Sequence, residues 1–429
     1  MQVSLNPKQF LPRLKAVAAL RGRSYPHPIL ETVQMEGAEN GGGWLRATHL
    51  NAGAELQVPL IRVKRPGTVQ LPLRAVTKAL AGARAACVDI EVLAPDTLPV
   101  QSDARTPCRK IVVGTPRSSV TLPAFDPEYF PVFTRHELPQ HVELPAWRLM
   151  RLITRTVFAS DENATRYALG GCAFEFEDNA VHGIATDGHC LVHAREHATG
   201  TGLWAPKIRL VGDEQRPLAP AVSGRLLRTL TNILATMENA ALTLGFSPEG
   251  RFQVQARGLF FHANLLEGRF PPWKDDFPEP SPSTAQVSDP TQMLQVLRET
   301  TRFTIRGSRT TELRLQGQVL KIVVDNEEAS TTRELFVKNL SERPEEEASV
   351  VIDPLHLLGY LRVQTQPFLL SFPPTKGGPL CCSSEGCRFL MMPLVQAETP
   401  ETGAPEAEDG PEESCSQEEE LPGDEALSA

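Results

Sequence analysis

Three times along its 429 residues the chain offers the same order of elements: an amphipathic helix, several alternating strands, a second amphipathic helix and more strands. Repetition on this scale constrains the architecture more than any single motif, because every unit must bury equivalent apolar faces in the same way. The first helices of the three units are predicted over residues 7–20, 145–159 and 290–303, and the second over 73–83, 222–237 and 353–363. Each begins close to a Pro, Ser or Asp, residues that suit a helix start through a fixed φ or a side-chain acceptor for an unpaired amide. The segments CAFEFED (172–178), LTLGF (242–246) and VLKIVVD (319–325) alternate with period two. One polar face per strand implies antiparallel sheets covered by helices on one side. Pro-rich segments at 136–145 and 278–290 read as boundaries. The expected organisation is three α+β units over 1–140, 141–281 and 282–397, followed by a tail over 398–429.

That tail resolves an apparent conflict in the charge. The net charge is −9, which disfavours a polyanionic partner. Twelve of the 52 Asp and Glu residues, however, lie between positions 398 and 425, where there is no Lys or Arg. Setting them aside leaves 40 acidic residues against 43 basic ones, a body near +3. The tail, rich in Pro, Gly, Ser and Glu, has almost nothing to bury and is expected to be disordered. It reads either as an inert solubilising segment or as a competitor for a neighbouring site. No run of 18 apolar residues is present, and the N-terminus MQVSLNPKQFLPRLK lacks the layout of a signal peptide, so a cytoplasmic location without a membrane is expected. Cys87, Cys108, Cys172 and Cys190 are scattered singly and read as reduced packing residues. Cys381, Cys382 and Cys387 cluster without the second CxxC or His pair that a zinc set needs.

Basic residues are patterned within the second unit. Arg148, Arg151 and Arg155 share one face of the first helix there, and Arg225 and Arg228 lie together on the second. Neither helix carries an acidic residue before Glu238. Unpartnered arginines on paired helices point to a phosphate-facing surface.

The richest stretch is 158–191, FASDENATRYALGGCAFEFEDNAVHGIATDGHCL. It reads as a helix end, a loop, and two strands closed by a tight TDGH turn. In order, these parts resemble the middle domain of the bacterial DNA sliding clamp, the beta subunit of DNA polymerase III. LLEGRFPPWKDDFP (265–278) is similar to the family segment ending in a Gly-Arg-Phe-Pro turn, and RFLMMPL (388–394) to its final strand with a Met-Pro pair. GRSYPHPIL (22–30) and TLPAFDPEYFP (121–131) extend the resemblance in register from residue 1 to about 396.

The resemblance implies three clamp domains per chain, and two chains joined head to tail as a homodimeric ring. Twelve helices would line its hole, and no reaction would be catalysed. Such a ring would encircle double-stranded DNA without reading sequence, holding phosphates rather than bases. The implied DNA contacts are Arg23, Arg74, Arg148, Arg151, Arg155, Arg225, Arg228 and Arg298, with Tyr167 reaching from its loop. A hydrophobic cleft between the second and third domains would take short peptides from DNA polymerase III, the clamp loader and repair proteins. Its implied walls are Leu169, Thr186, Gly188, His189, Cys190, Leu191, Pro271, Leu390, Met392, Pro393 and Leu394. The implied ring contact involves Arg117 and Val120 in the first domain and Arg302, Phe303 and Ile305 in the third. No cofactor and no metal are implied.

This chain departs from the family at several positions. Cys190 stands where the family often has Arg, and Asp275 and Asp276 replace a basic or apolar pair, which would make the cleft more acidic. The expected ring edges are polar, so a clamp-like scaffold that does not close is the first alternative. The second is a metal-dependent hydrolase built on Asp187, His189, His193 and His197. Spacing of four would place the three histidines on one helix face, but HCLVHAREH follows strand signals and holds no HExxH frame. There is no GxxxxGK[ST] loop and no G-x-S-x-G elbow, and the NGGG at 40–43 reads as a hairpin turn.

Overall fold

The computed structural model describes residues 1–21, 27–93, 107, 109–138, 141–164, 167–177, 179–200, 220–305, 309–375 and 377–394. Arg23, the side chain of Tyr167 and the tail at 398–429 lie outside the described residues. Met1–Leu394 forms one compact unit.

All six predicted helices are present. They are α1 (Pro7–Ala18), α2 (Leu73–Gly82), α3 (Ala146–Thr156), α4 (Gly224–Leu234), α5 (Pro290–Thr300) and α6 (Pro354–Val363). Local chemistry fixes the starts of α1, α5 and α6. Asn6, Asp289 and Asp353 each accept a backbone N–H from the first turn, at 3.0, 2.8 and 2.9 Å, with proline as the first helical residue. Each helix buries one stripe: Phe10, Leu14 and Val17 on α1, Leu149, Leu152 and Ile153 on α3, Leu226, Leu230 and Ile233 on α4. Single 3-10 turns continue α3 through Val157–Ala159 and α5 through Thr301–Phe303. The helices pack in sequential pairs, α1 with α2, α3 with α4 and α5 with α6, and α1 also meets α4 while α3 meets α6.

Among the described residues the strands form four antiparallel sheets, and two of them cross from one repeat to the next. One nine-stranded sheet joins the first and second repeats where Leu259–Asn264 pairs with Ala52–Val58. The other joins the second and third where Cys190–His197 pairs with Cys387–Met391. A five-stranded sheet stays within the first repeat and ends on Ser118–Ala124; a four-stranded sheet stays within the third and ends on Ser330–Phe336. Both Pro-rich segments read as boundaries contain strands. His141–Pro145 pairs with Ala241–Phe246, and Thr284–Val287 pairs with Phe368–Ser371. Proline had masked the alternation of HVEL and TAQV, yet proline is tolerated at a strand end. The NGGG segment is the expected turn, with Asn40 Oδ1 accepting Gly42 N–H at 3.0 Å and Gly41 at φ 83°.

The seam between the first and second repeats contains a buried histidine. His262 sits on its joining strand against Phe133 and Phe260, with ring centroids 5.5 and 5.7 Å away. A Cβ on Gly53, its register partner, would stand 2.5 Å from the imidazole, so the ring occupies space that only glycine leaves. Neither ring nitrogen has a hydrogen-bond partner among the described residues. Burial, with repulsion from Arg251 and His136, pushes this imidazole down to about 4. An unfolded histidine takes its proton near pH 6.5. Between these values the unfolded chain binds a proton that the folded chain does not, so stability is lost as pH falls through that window. The free energy of urea unfolding should therefore drop between pH 7 and pH 4.5, and His262→Phe should remove on the order of 2 kcal/mol of that drop. An unchanged drop in the variant would place the titration elsewhere.

Candidate functional site

The turn between strands Ala180–Thr186 and Cys190–His197 is built by its own side chains. Thr186 Oγ1 donates to Cys190 O at 2.6 Å and accepts from Gly188 N–H at 3.1 Å. Asp187 Oδ1 accepts from the N–H groups of His189 and Cys190, at 2.8 and 2.7 Å. Gly188 has φ 91°, the left-handed region that suits glycine, and nothing stands near its missing Cβ. The aspartate is thus bound to its turn, which accounts for it without catalysis.

Sheet pairing brings the two expected cleft walls together. Leu191 faces Leu390 and Cys190 faces Met391 in the ladder, and Met392 N–H donates to His189 O at 2.9 Å. Leu191 and Leu390 are buried in a small apolar cluster, apart from the main core, that includes Ala168, Ile184, Phe270 and Trp273. Above this floor Met392 is 47 % exposed and Leu394 38 %. Thr186 and Cys190 are buried, Gly188 and His189 are exposed, and Leu169, Pro271 and Pro393 are half-buried. Sequence reasoning missed Phe270 and Trp273, although both flank the Pro271 it chose. Trp273 Nε1 donates to Glu175 at 3.0 Å, and Lys274 pairs with Glu175 and Glu177 at 3.3 and 3.0 Å. Asp275 and Asp276 lie exposed in the adjoining 3-10 turn.

The zinc reading of the three histidines fails on geometry. His193 lies on a strand, stacked on His182 and tilted against Trp273, with centroids 5.1 and 4.6 Å away. Burial first, then His182 and nearby cations, pushes it down to about 4. His197 Nδ1 lies 3.3 Å from Arg148 at the strand end, where the His197 carbonyl also accepts from Arg148 at 2.9 Å.

The basic faces differ from expectation in their partners. Arg151 makes a bidentate pair with the buried Glu196, both contacts at 2.5 Å. Arg155 is only 6 % exposed and donates to Glu385 O at 3.3 Å. Arg228 pairs with Glu162 and donates to Val157 O, and Arg225 donates to Arg21 O at 2.8 Å. The premise that α3 and α4 lack acidic partners is therefore wrong. The carboxylates come from a strand and a loop that helix-local reading does not reach. Arg74 is exposed, and with Lys15, Arg21 and Lys78 it lines a groove between α1 and α2. Arg298 is exposed on α5.

Arg117 and Val120 are exposed at the start of edge strand Ser118–Ala124. Arg302 and Phe303 are exposed and Ile305 half-buried after α5. One edge strand of that repeat is Ser330–Phe336, which sequence reasoning did not select; its Phe336 is 82 % exposed.

No protein-family model matches the chain. In sequence it is similar to the beta sliding clamp of Haemophilus influenzae, 25% identical over 406 residues that take in 92% of this chain and 100% of the relative. The beta sliding clamp of Pseudomonas aeruginosa is 22% identical over 397 residues, with the same shares covered. The fold superposes on the DNA polymerase III beta subunit of Thermotoga maritima with a TM-score of 0.76 at 16% identity, covering 92% of this chain and 100% of that one. On the Pseudomonas aeruginosa sliding clamp bound to griselimycin the TM-score is 0.75 at 20% identity, with equal coverage. In sequence over most of its length, and in fold, the chain is a relative of the bacterial DNA polymerase III beta subunits, with the architecture of a DNA sliding clamp.

Proposed function

We propose that two copies of this chain close head to tail into a ring around duplex DNA, and that the ring is a non-catalytic, cytoplasmic processivity factor. It would tether DNA polymerase III, its clamp loader and other replication and repair proteins. The observation that carries this reading is the use of sheet continuation at both internal seams. An open edge strand presents unpaired N–H and C=O groups that invite another strand. The smaller sheets of the first and third repeats end on such edges, Ser118–Ala124 and Ser330–Phe336, with Val120 and Phe336 exposed. Pairing these edges between copies would apply the same device a third time and satisfy both. Within this reading the domains run over 1–140, 141–281 and 282–397. Solution mass should be twice 47.1 kDa, and the loaded protein should stay on circular DNA and slide off linear DNA. A monomer at micromolar concentration would instead favour the open scaffold, a reading supported by the polar Thr332, Arg333 and Glu334 on one edge.

The DNA-facing contacts are best sought among exposed cations, because a partner-bound guanidinium must first give up its partner. Arg74 and Lys78 on α2, with Arg298 on α5, meet that condition better than Arg151 or Arg155. Arg74→Glu combined with Lys78→Glu should weaken DNA binding and flatten its salt dependence by about one to two contacts. An unchanged salt slope would remove the α1–α2 groove from the contact surface.

The apolar floor with Met392 and Leu394 on its rim supports the peptide-cleft reading, since a flexible thioether adapts to varied apolar anchors. Met392→Ala with Leu394→Ala should weaken a clamp-binding peptide about ten-fold in fluorescence anisotropy without lowering the melting temperature. Full affinity in the double variant would move the peptide site elsewhere.

A further inference from the structure

The TDGH turn meets α6 at three side chains that the peptide-cleft reading leaves without a joint role. Asp187, Cys190 and His356 each offer one metal-ligating atom, and these atoms lie within 4.8 Å of one another. We propose that Asp187, Cys190 and His356 bind a thiophilic divalent cation of the zinc class, at the seam between the second and third repeats.

The geometry is close to that of a tetrahedral site. His356 Nδ1 stands 3.4 Å from Asp187 Oδ2. Two ligands bound at about 2.1 Å to a tetrahedral ion are about 3.4 Å apart, so this edge is already at ligating distance. The Cys190 sulfur lies within 4.8 Å of both, against about 3.6 Å between ligands bound at about 2.1 and 2.3 Å to a tetrahedral ion. The Asp187 carboxylate already has the orientation of a ligand, with Oδ1 held by the N–H groups of His189 and Cys190 and Oδ2 left toward His356. A hydrogen-bonded carboxylate of this kind is a fixed ligand rather than a mobile one. The fourth position falls to water.

The donor set selects the metal. A thiolate and an imidazole favour zinc over the hard cations magnesium and calcium, which take all-oxygen shells. Cys190 is 2 % exposed, and burial together with the Asp187 carboxylate keeps its thiol protonated. A bound cation offsets both effects; the thiol proton then passes to solvent and sulfur gives its electron pair to the metal. An ion held here would bolt the turn of the second repeat to α6 of the third, beside the Met392–His189 hydrogen bond that already spans the seam. The site stands on its own ligands and does not depend on the neighbouring cleft taking a peptide.

The test uses the full chain, stripped with chelator and kept reduced, then titrated with Zn²⁺ or Co²⁺ alone. One equivalent should bind per chain, and the cobalt form should show a thiolate-to-cobalt charge-transfer band. Cys190→Ser, nearly isosteric, should abolish the band and weaken zinc at least about ten-fold. His356→Ala, on a half-buried position of α6, should weaken zinc comparably while leaving the core intact. Cys381→Ser should change neither measurement. No stoichiometric zinc, or a band and an affinity retained in both Cys190→Ser and His356→Ala, would overturn the assignment.

Discussion

The antiparallel ladder between residues 190–194 and 387–391 is the interaction on which the rest of this structure depends. It ties segments some two hundred positions apart into adjacent strands, so the closure entropy of a long loop must be met by the pairing and the burial it brings. That burial is substantial: Val192, Ala194, Phe389 and Met391 are all withdrawn from solvent, and Phe389 stacks on Tyr360 of α6 at 5.0 Å. Everything assigned to the candidate cleft follows from this register. A slip of one residue would turn Leu191 and Leu390 out of their shared cluster and break the Met392–His189 hydrogen bond.

Charge is organised around the same seam. Glu196, near the end of the joining strand, is buried and held in a bidentate pair by Arg151, while Arg155 reaches the carbonyl of Glu385 in the hairpin that leads into Cys387–Met391. A buried carboxylate left without its guanidinium would be costly, which makes Arg151 a structural partner before it is anything else. Among the arginines of α3, Arg151 thus holds the joining strand and Arg155 reaches across to the third repeat, while exposed cations lie on α1, α2 and α5.

Much of this was legible in the residues. The six helices carried apolar stripes, three of them began at a capping Asn or Asp, and each appears within a few positions of its expected span. The TDGH turn was legible because Thr, Asp and Gly each have a local hydrogen-bonding or φ preference that needs no distant partner. What escaped was non-local. Glu196 as the partner of Arg151, Glu162 as that of Arg228, and Ser330–Phe336 as a sheet edge are all set by chain topology, and no window of sequence contains both members. The strand His141–Pro145 escaped for another reason, since its prolines marked a boundary while its alternation was too short to read as a strand.

The division between floor and rim gives the candidate cleft its physical character. Leu191, Leu390 and Ile184 are fixed by continuous sheet and cannot rearrange without breaking ladder hydrogen bonds. Met392 and Leu394 follow the last strand, exposed, with their backbones anchored by His189 O and Val351 O and their side chains unburied. A ligand entering such a site would meet a rigid apolar base and adaptable side chains around it. That arrangement admits varied anchors at constant depth, because the floor sets how far an apolar group can descend while the rim adjusts to its shape. Asp187, which accepts from the N–H groups of His189 and Cys190, also faces His356 of α6 at 3.4 Å, so the turn at the rim is in contact with the third repeat as well as with its own strands.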